Sequence, residues 1–190
     1  MRVSRLRLLG ILVALLAFGL DQATKAWALA ALWPPYEVVM EVLPVWNMRL
    51  GFNTGVTFGL FRESAAGAVW LLVLLKLGVV AFLARWLWRG ETRLEALALG
   101  LVIGGALGNV LDRFRIGAVV DFLDWHYAGS HWPTFNMADV AIVAGVALVI
   151  LGGLNSRPAR PPPEDRRHVP FPESSRPAGN DPPPDRQGMC

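Results

Sequence analysis

The chain has 190 residues, of which 54% are hydrophobic and 17% are charged, and its mean hydropathy is +0.41. These values exclude an ordinary soluble domain and indicate a membrane protein. The net charge of +3 does not indicate a nucleic-acid surface, because the basic residues gather beside apolar segments and in the C-terminal region. Cys190 is the only cysteine, so no intrachain disulfide is possible.

Four apolar segments follow one another, each near the ~20 residues that a helix needs to cross the hydrocarbon of a membrane. They run from about Leu8 to Ala31, Ala65 to Trp88, Leu94 to Leu111 and Phe135 to Leu154. The sequence therefore predicts an α-helical integral membrane protein with four transmembrane helices. A cleaved signal peptide is the alternative for the first segment, but apolar residues resume after the possible cleavage site at "ATKA", which favours a retained helix.

Arginines mark one side of this predicted bundle. Three lie in the N-terminal "MRVSRLR", and three more, Arg85, Arg89 and Arg93, surround the connection between the second and third segments. Arg157 and Arg160 follow the fourth segment. Because short basic connections stay in the cytoplasm, we expect both termini to be cytoplasmic.

The other two connections, about residues 32–64 and 113–134, are then expected on the outer face. The first alternates apolar and polar residues in "YEVVMEVLPVWNMRL", which predicts a few short strands at the membrane surface. The second contains "DWHYAGSHW", whose aromatic residues are typical of the headgroup region.

The amino-acid composition changes after the fourth segment, where proline becomes frequent. Ten of the fourteen prolines lie within residues 157–190, mixed with charged residues. Such a composition cannot form a packed core. We therefore expect a four-helix membrane domain over residues 1–156 and a disordered cytosolic tail over residues 157–190.

Polar residues concentrate near the outer ends of the predicted helices. At 1.5 Å per residue, Asp21 and Lys25 lie roughly 20 and 26 Å above the start of the first segment, and polar residues of the third lie at a similar depth. A charge within a span costs about 2.5–3.5 kcal/mol, so this concentration indicates a functional site. The set comprises Asp21, Lys25, Asn109, Asp112, Asp121, Asn136 and Asp139.

Structural interpretations of these residues remain open. Asp21 and Lys25 are four residues apart and can simply form an ion pair on one helix. Asp112 can neutralise Arg113. Asn136 can cap the fourth helix, with Asp139 favouring the helix dipole. We expect Asp124, farther along the second outer connection, to be a solvated acid at the interface.

Asp121 is harder to explain as structural, because "AVVDF" surrounds it with apolar residues. Burial raises a carboxyl pKa, and a second acid nearby raises it further. Two such acids can share a proton and hydrolyse a peptide bond, one activating water and one donating to the carbonyl. HExxH and GxSxG motifs are absent. A metal site at His126, His131 and Asp124 is the less favoured alternative, because imidazoles in such a loop are usually surface residues.

Five motifs follow one another along the chain: "DQATK" from Asp21, "NTGVTFG" from Asn53, "GNVLDR" from Gly108, "VVDF" from Val119 and "FNMADVAI" from Phe135. Together they resemble the bacterial lipoprotein signal peptidase family, also called signal peptidase II. The resemblance implies an intramembrane aspartyl endopeptidase of the bacterial inner membrane. Such an enzyme removes signal peptides from diacylglyceryl-modified prolipoproteins and cuts before the lipidated lipobox cysteine.

Motif position implies that Asp121 and Asp139 are the catalytic pair, near the periplasmic face. The first outer loop would be the small periplasmic β-cradle of the family. We expect prolipoprotein substrate and membrane lipids as partners, a monomer, and no nucleic acid, metal or other cofactor. The residues implied to support the pair or hold substrate are Asp21, Lys25, Asn53, Gly55, Asn109, Asp112, Arg113 and Asn136.

Lys76, in "WLLVLLKLGVV", belongs to none of these motifs. It can snorkel, face the bundle interior or mark a misplaced helix boundary. A small transporter or proton channel is an alternative function, but it needs a continuous polar path, and apart from Lys76 the polar residues stop at one face. A membrane scaffold is a further alternative, and it needs no acid pair.

Overall fold

Long apolar runs form the helices of the computed structural model, which describes residues 2–33, 38–55 and 65–155. The expected tail at 157–190 lies outside the described residues, as do Pro34, Pro35 and the end of "NTGVTFG". The elements are α1 (Arg2–Leu32), β1 (Met40–Leu43), β2 (Trp46–Asn53), α2 (Ala65–Arg89), α3 (Arg93–Ile116), β3 (Val119–Tyr127), β4 (Ser130–His131) and α4 (Met137–Asn155).

The described part of the chain is mostly helical, and three of its helices are long and apolar enough to cross a membrane. They are Val3–Leu32, Val69–Arg89 and Arg93–Ile116, while Met137–Gly153 is a shorter apolar helix. Large apolar side chains of α2, such as Leu71, Leu74 and Leu75, are exposed. Exposed leucines of this kind suit contact with lipid, as expected for a membrane protein.

Helix α3 lies at the centre of the bundle and packs against α1, α2 and α4. Its small residues permit this packing, because they let helix backbones approach closely. Gly100 and Gly104 face backbone carbonyls of α1, and Gly105 faces the carbonyl of Ala138 in α4. Many side chains of α3 are therefore buried, including those of Asn109, Asp112 and Arg113.

Two caps define the ends of α3. Thr92 and Glu95 form a capping box at its start, and Gly117 ends it in the left-handed conformation with φ 74°. Helix α3 therefore extends beyond the predicted apolar segment, and Arg113, which was expected to begin the second outer connection, belongs to the helix. The helix continues because the side chains of Asp112 and Arg113 are buried against neighbouring elements, each 6% exposed.

A four-stranded antiparallel sheet in the order β1-β2-β3-β4 follows the ends of α1 and α3. The strands predicted between the first and second helices are confirmed, but the sheet is not confined to that connection. Its longest strand, β3, comes from the second connection and places Asp121 opposite Gly51 of β2. Pairing with β2 satisfies the backbone of β3, whose residues from Val119 to Asp124 are all buried.

Candidate active site

A buried lysine organises the charged side chains between α1 and α3. The Nζ atom of Lys25 lies 2.9 Å from Asp21 Oδ2 and 2.8 Å from Asp112 Oδ2. It also donates to Asn109 Oδ1 at 3.0 Å. An ammonium group has three donors, and here each faces one acceptor. The lysine thereby joins the C-terminal parts of α1 and α3.

Asp21 links the same cluster to α4. Its Oδ1 atom accepts from the backbone N–H of Ala138 at 2.9 Å, and its Oδ2 atom accepts from Gln22 Nε2 at 3.1 Å. The carboxylate lies directly against Gly108, where an added Cβ would come within 3.0 Å of the Asp21 Cγ atom. Only glycine therefore lets α3 pass this close to the buried acid.

Asp112 connects the cluster to the sheet. Its Oδ2 atom accepts from the Val120 N–H at 3.2 Å, which fixes β3 immediately before Asp121. Its Oδ1 atom accepts from Gln22 Nε2 at 3.1 Å. The interpretation of Asp112 as a partner that neutralises Arg113 is wrong, because its ion pair is with Lys25.

Asn136 contacts both candidate catalytic acids. Its Nδ2 atom donates to Asp121 Oδ1 at 2.6 Å, and its backbone N–H donates to Asp139 Oδ2 at 3.3 Å. The Asp139 N–H donates in return to Asn136 Oδ1 at 3.1 Å, as in a capping box. Asn136 is thus the expected helix cap, and it also holds the two acids beside one another.

A second asparagine holds Asp139 from α3. Asn109 Nδ2 donates to Asp139 Oδ1 at 2.9 Å, while Asn109 Oδ1 accepts from Lys25. Because an ammonium can only donate, Lys25 fixes which end of the Asn109 amide faces Asp139. The charged cluster therefore orients a hydrogen-bond donor at the acid pair.

Strand β3 and the approach to α4 bring residues 121 and 136 together. Phe135 N donates to Leu123 O at 3.1 Å, and Leu123 N donates to Phe135 O at 2.9 Å. This bridge lies two residues after Asp121 and one residue before Asn136. It therefore holds Asp121 beside Asn136, which also contacts Asp139. The two acids lie close together although they come from different elements.

Asp121 is 2% exposed. Burial raises its pKa from 3.8 to about 6, and the charge of Asp139 contributes in the same direction. Hydrogen bonds from Asn53 and Asn136 oppose this rise. Asp121 therefore keeps its proton in mildly acidic solution beside a second carboxyl group, as general acid catalysis requires.

Arg113 provides an unused donor next to the acids. It is 6% exposed, and its Nη1 atom donates to the Asn109 carbonyl at 3.3 Å. Its Nε atom is buried without a hydrogen-bond acceptor in residues 2–33, 38–55 and 65–155. Gly55, at φ 75°, leaves room for the guanidinium, because a Cβ there would lie 3.1 Å from Arg113 Nη2. Asn53 Oδ1 holds this turn by accepting from Gly55 N at 2.8 Å.

Comparison with known proteins identifies this arrangement. The family model described as signal peptidase (SPase) II matches residues 13–155. The chain belongs to this family. It is 44% identical over 159 residues to a lipoprotein signal peptidase of Beijerinckia indica, covering 84% of this chain and 95% of that protein. A lipoprotein signal peptidase of Nitrobacter hamburgensis is 42% identical over 154 residues, which is 79% of this chain and 94% of the relative.

Two solved structures, both described as bacterial membrane enzymes, share the fold of this signal peptidase II family member. One is 28% identical with a TM-score of 0.63, over 76% of this chain and 87% of the other. The second is 27% identical with a TM-score of 0.65, over 78% and 94% of the two chains. The family resemblance drawn from the five motifs is thus confirmed.

Gln22 is a residue of this site that the sequence did not single out. Its Nε2 atom lies between Asp21 Oδ2 and Asp112 Oδ1, at 3.1 Å from each. It occurs within "DQATK", but no spacing rule predicts that a residue beside Asp21 reaches α3. Gly108 was likewise part of a motif without a predicted role, and its contact with Asp21 depends on how closely α1 and α3 pack.

Asp124 is not the solvated acid that the sequence predicted. It is 0% exposed, and its carboxylate lies 3.2 Å from Arg49 Nε and 2.9 Å from His131 Nδ1. It is buried because β3 is an inner strand of the sheet and not a loop. His126 stacks on His131 with ring centroids 5.1 Å apart. Within the described residues, no group of three or more His, Cys, Asp or Glu side chains is arranged to hold a metal ion.

Proposed function

We propose that this chain removes the signal peptide from prolipoproteins that carry a diacylglyceryl group, cutting before the lipidated cysteine of the lipobox. Membership of the signal peptidase II family supports this, as do relatives named lipoprotein signal peptidase. The observation that carries the proposal is the pair of contacts from Asn136 to Asp121 and Asp139. Family membership does not favour the alternative of a transporter or proton channel.

Asp121 and Asp139 would be the catalytic residues. One ionised carboxylate takes a proton from a water molecule, which attacks the scissile carbonyl. The protonated partner donates to the carbonyl oxygen as charge develops there. The raised pKa of Asp121 suits it to carry the proton.

The remaining polar set would support this pair and hold substrate. Lys25 forms ion pairs with Asp21 and Asp112 and orients Asn109 toward Asp139. Within the described residues the Arg113 Nε atom has no acceptor, and it would donate to a substrate backbone carbonyl next to the turn at Asn53 and Gly55. Asp21 accepts from the backbone of α4, and Asp112 accepts from the backbone of β3. Asn136, at the start of α4, donates to Asp121 of β3.

The topology we propose has all four helices crossing the bacterial inner membrane, with both termini in the cytoplasm. The distribution of arginines supports this orientation. The sheet and the acid pair would then lie near the periplasmic face, where the first outer loop forms much of a β-cradle. The acids and their supporting residues come from one chain, which supports a monomer surrounded by membrane lipids. Residues 157–190 would be a cytosolic tail.

Cleavage of a synthetic diacylglyceryl prolipoprotein by the purified protein, in detergent with EDTA, tests the proposed function. Wild type should cut just before the lipidated cysteine, whereas Asp121→Asn and Asp139→Asn should not. Glu41→Gln, an isosteric change at an exposed acid of β1, is the matched control and should retain activity. A folded but inactive wild type, or full activity in either catalytic variant, would contradict the proposal.

A further inference from the structure

Lys76 lies near the middle of α2 on the helix face that packs against α3. Leu72 and Val80, one turn before and one turn after it, define this face. A Cβ added to Gly55 would lie 2.8 Å from Leu72 Cδ1, and Val80 packs against the buried cluster that includes Leu99. Residues four apart share a helix face, so Lys76 is directed into the bundle. Of the interpretations left open by the sequence, the structure selects this one.

Lys76 lies one helical turn from residues that border the active site. Leu72 contacts Gly55, and Gly55 in turn lies against Arg113, because a Cβ added there would be 3.1 Å from Arg113 Nη2. Side chains lean toward the N-terminus of their helix, so the long Lys76 side chain extends toward Leu72 and the turn near Arg113. In the described ranges of the chain, it forms no hydrogen bond or ion pair with another residue.

A cation in this position needs an acceptor. A charge within a span is costly, and such residues normally pair with one another or with carbonyl oxygens. Both α2 and α4 pack on α3. A lipid that entered between α2 and α4 and reached the acid pair would pass the side of α2 that faces α3, on which Lys76 lies.

We propose that the Lys76 ammonium donates a hydrogen bond to an ester carbonyl of the diacylglyceryl group on the substrate. This inference rests on the proposed function. The thioether of the lipidated cysteine holds the two esters a few bonds from the scissile peptide, within reach of residues around the acids. A signal-peptide helix satisfies its own carbonyls in hydrocarbon, whereas an ester carbonyl there has no donor of its own. A charged donor forms a strong bond to such an oxygen.

Two matched substrates test this contact. One carries ester-linked acyl chains, and the other carries ether-linked chains of the same length, which lack the carbonyl oxygens. The enzymes are wild type, Lys76→Met, Lys76→Arg and the control Leu75→Met, whose residue is 64% exposed on the same helix. Methionine keeps much of the length of lysine and removes its charge. Thermal unfolding in detergent establishes that each variant is folded.

Lys76→Met should lower kcat/KM for the ester substrate by about ten- to hundredfold, the value of one hydrogen bond to a charged group. Its kcat/KM for the ether substrate should change by less than about threefold on the same scale. Lys76→Arg should restore most of the ester activity, and Leu75→Met should match wild type with both substrates. An equal loss with both substrates, or no loss with the ester, would overturn the inference. Failure of wild type to cut either substrate would instead count against the proposed function.

Discussion

Replacement of Gly108 by alanine tests the contact on which the buried charge cluster depends. The added methyl group would come within 3.0 Å of Asp21 Cγ, and closer still to Oδ2. The carboxylate would have to move away from the Ala138 N–H and from Lys25, which now lie 2.9 Å from its oxygens.

The expected loss of stability has two parts. Overpacking costs about 1–3 kcal/mol, and a weakened hydrogen bond to a charged group costs about 1.5–3 kcal/mol. Alanine recovers about 1 kcal/mol through its better helix propensity. Gly108→Ala should therefore destabilise the protein by about 1.5–5 kcal/mol, with loss of cleavage as α4 loses its contact with Asp21.

Gly78→Ala is the matched control, because nothing lies within 4 Å of the Cβ position there. Alanine at Gly78 should leave stability unchanged or raise it by up to about 1 kcal/mol. Denaturant unfolding in detergent, followed by tryptophan fluorescence, measures both variants. Equal stability of Gly108→Ala and Gly78→Ala would refute the idea that this glycine makes room for the acid.

Three further predictions concern charged residues. Burial raises the pKa of Asp121 from 3.8 to about 6, so Asp121 loses the proton it supplies above that pH. The kcat/KM for cleavage should therefore fall as pH rises through about 6. A flat profile from pH 5 to 8 would contradict this. Lys25→Met leaves two buried carboxylates without their cation and should destabilise the protein by about 3–5 kcal/mol in denaturant unfolding, a loss that Lys25→Arg should partly avoid. Asp124→Asn removes the charge held by Arg49 and should lower stability by about 1.5–3 kcal/mol. Cleavage per folded molecule should remain within about threefold for Asp124→Asn, and a complete loss would place Asp124 in the reaction.

The depth of the polar residues along the helices was predictable from the sequence. Each residue adds about 1.5 Å of rise, so a residue's number gives its distance from the start of the helix. Asp21, Lys25 and Asn109 therefore lie together as expected. Their partners were not predictable in the same way. Asp112 pairs with Lys25 and not with adjacent Arg113, because the glycines of α3 bring α1 within reach.

Strand β3 is a second feature that the sequence pattern did not predict. Alternation in "YEVVMEVLPVWNMRL" predicted strands in the first connection, but the apolar run "AVVDFL" has no such alternation. A strand covered on both faces has a continuous apolar pattern that periodicity does not distinguish from other buried segments. Asp124 was consequently predicted to be solvated, although the sheet buries it completely.

The hydrogen bond from Ala138 to Asp21 has a consequence for biosynthesis. The two residues are 117 positions apart, so the first helix enters the bilayer long before its partner in the last helix has been translated. Until then, one oxygen of the Asp21 carboxylate lacks the amide that satisfies it in the finished protein. Asp139 lies in the same late helix. A stalled or truncated chain that ends before α4 would thus carry an incompletely paired acid in the membrane and would lack one of the two carboxyl groups proposed for catalysis. Proteolytic competence would therefore arise only when translation of the helical bundle is almost complete.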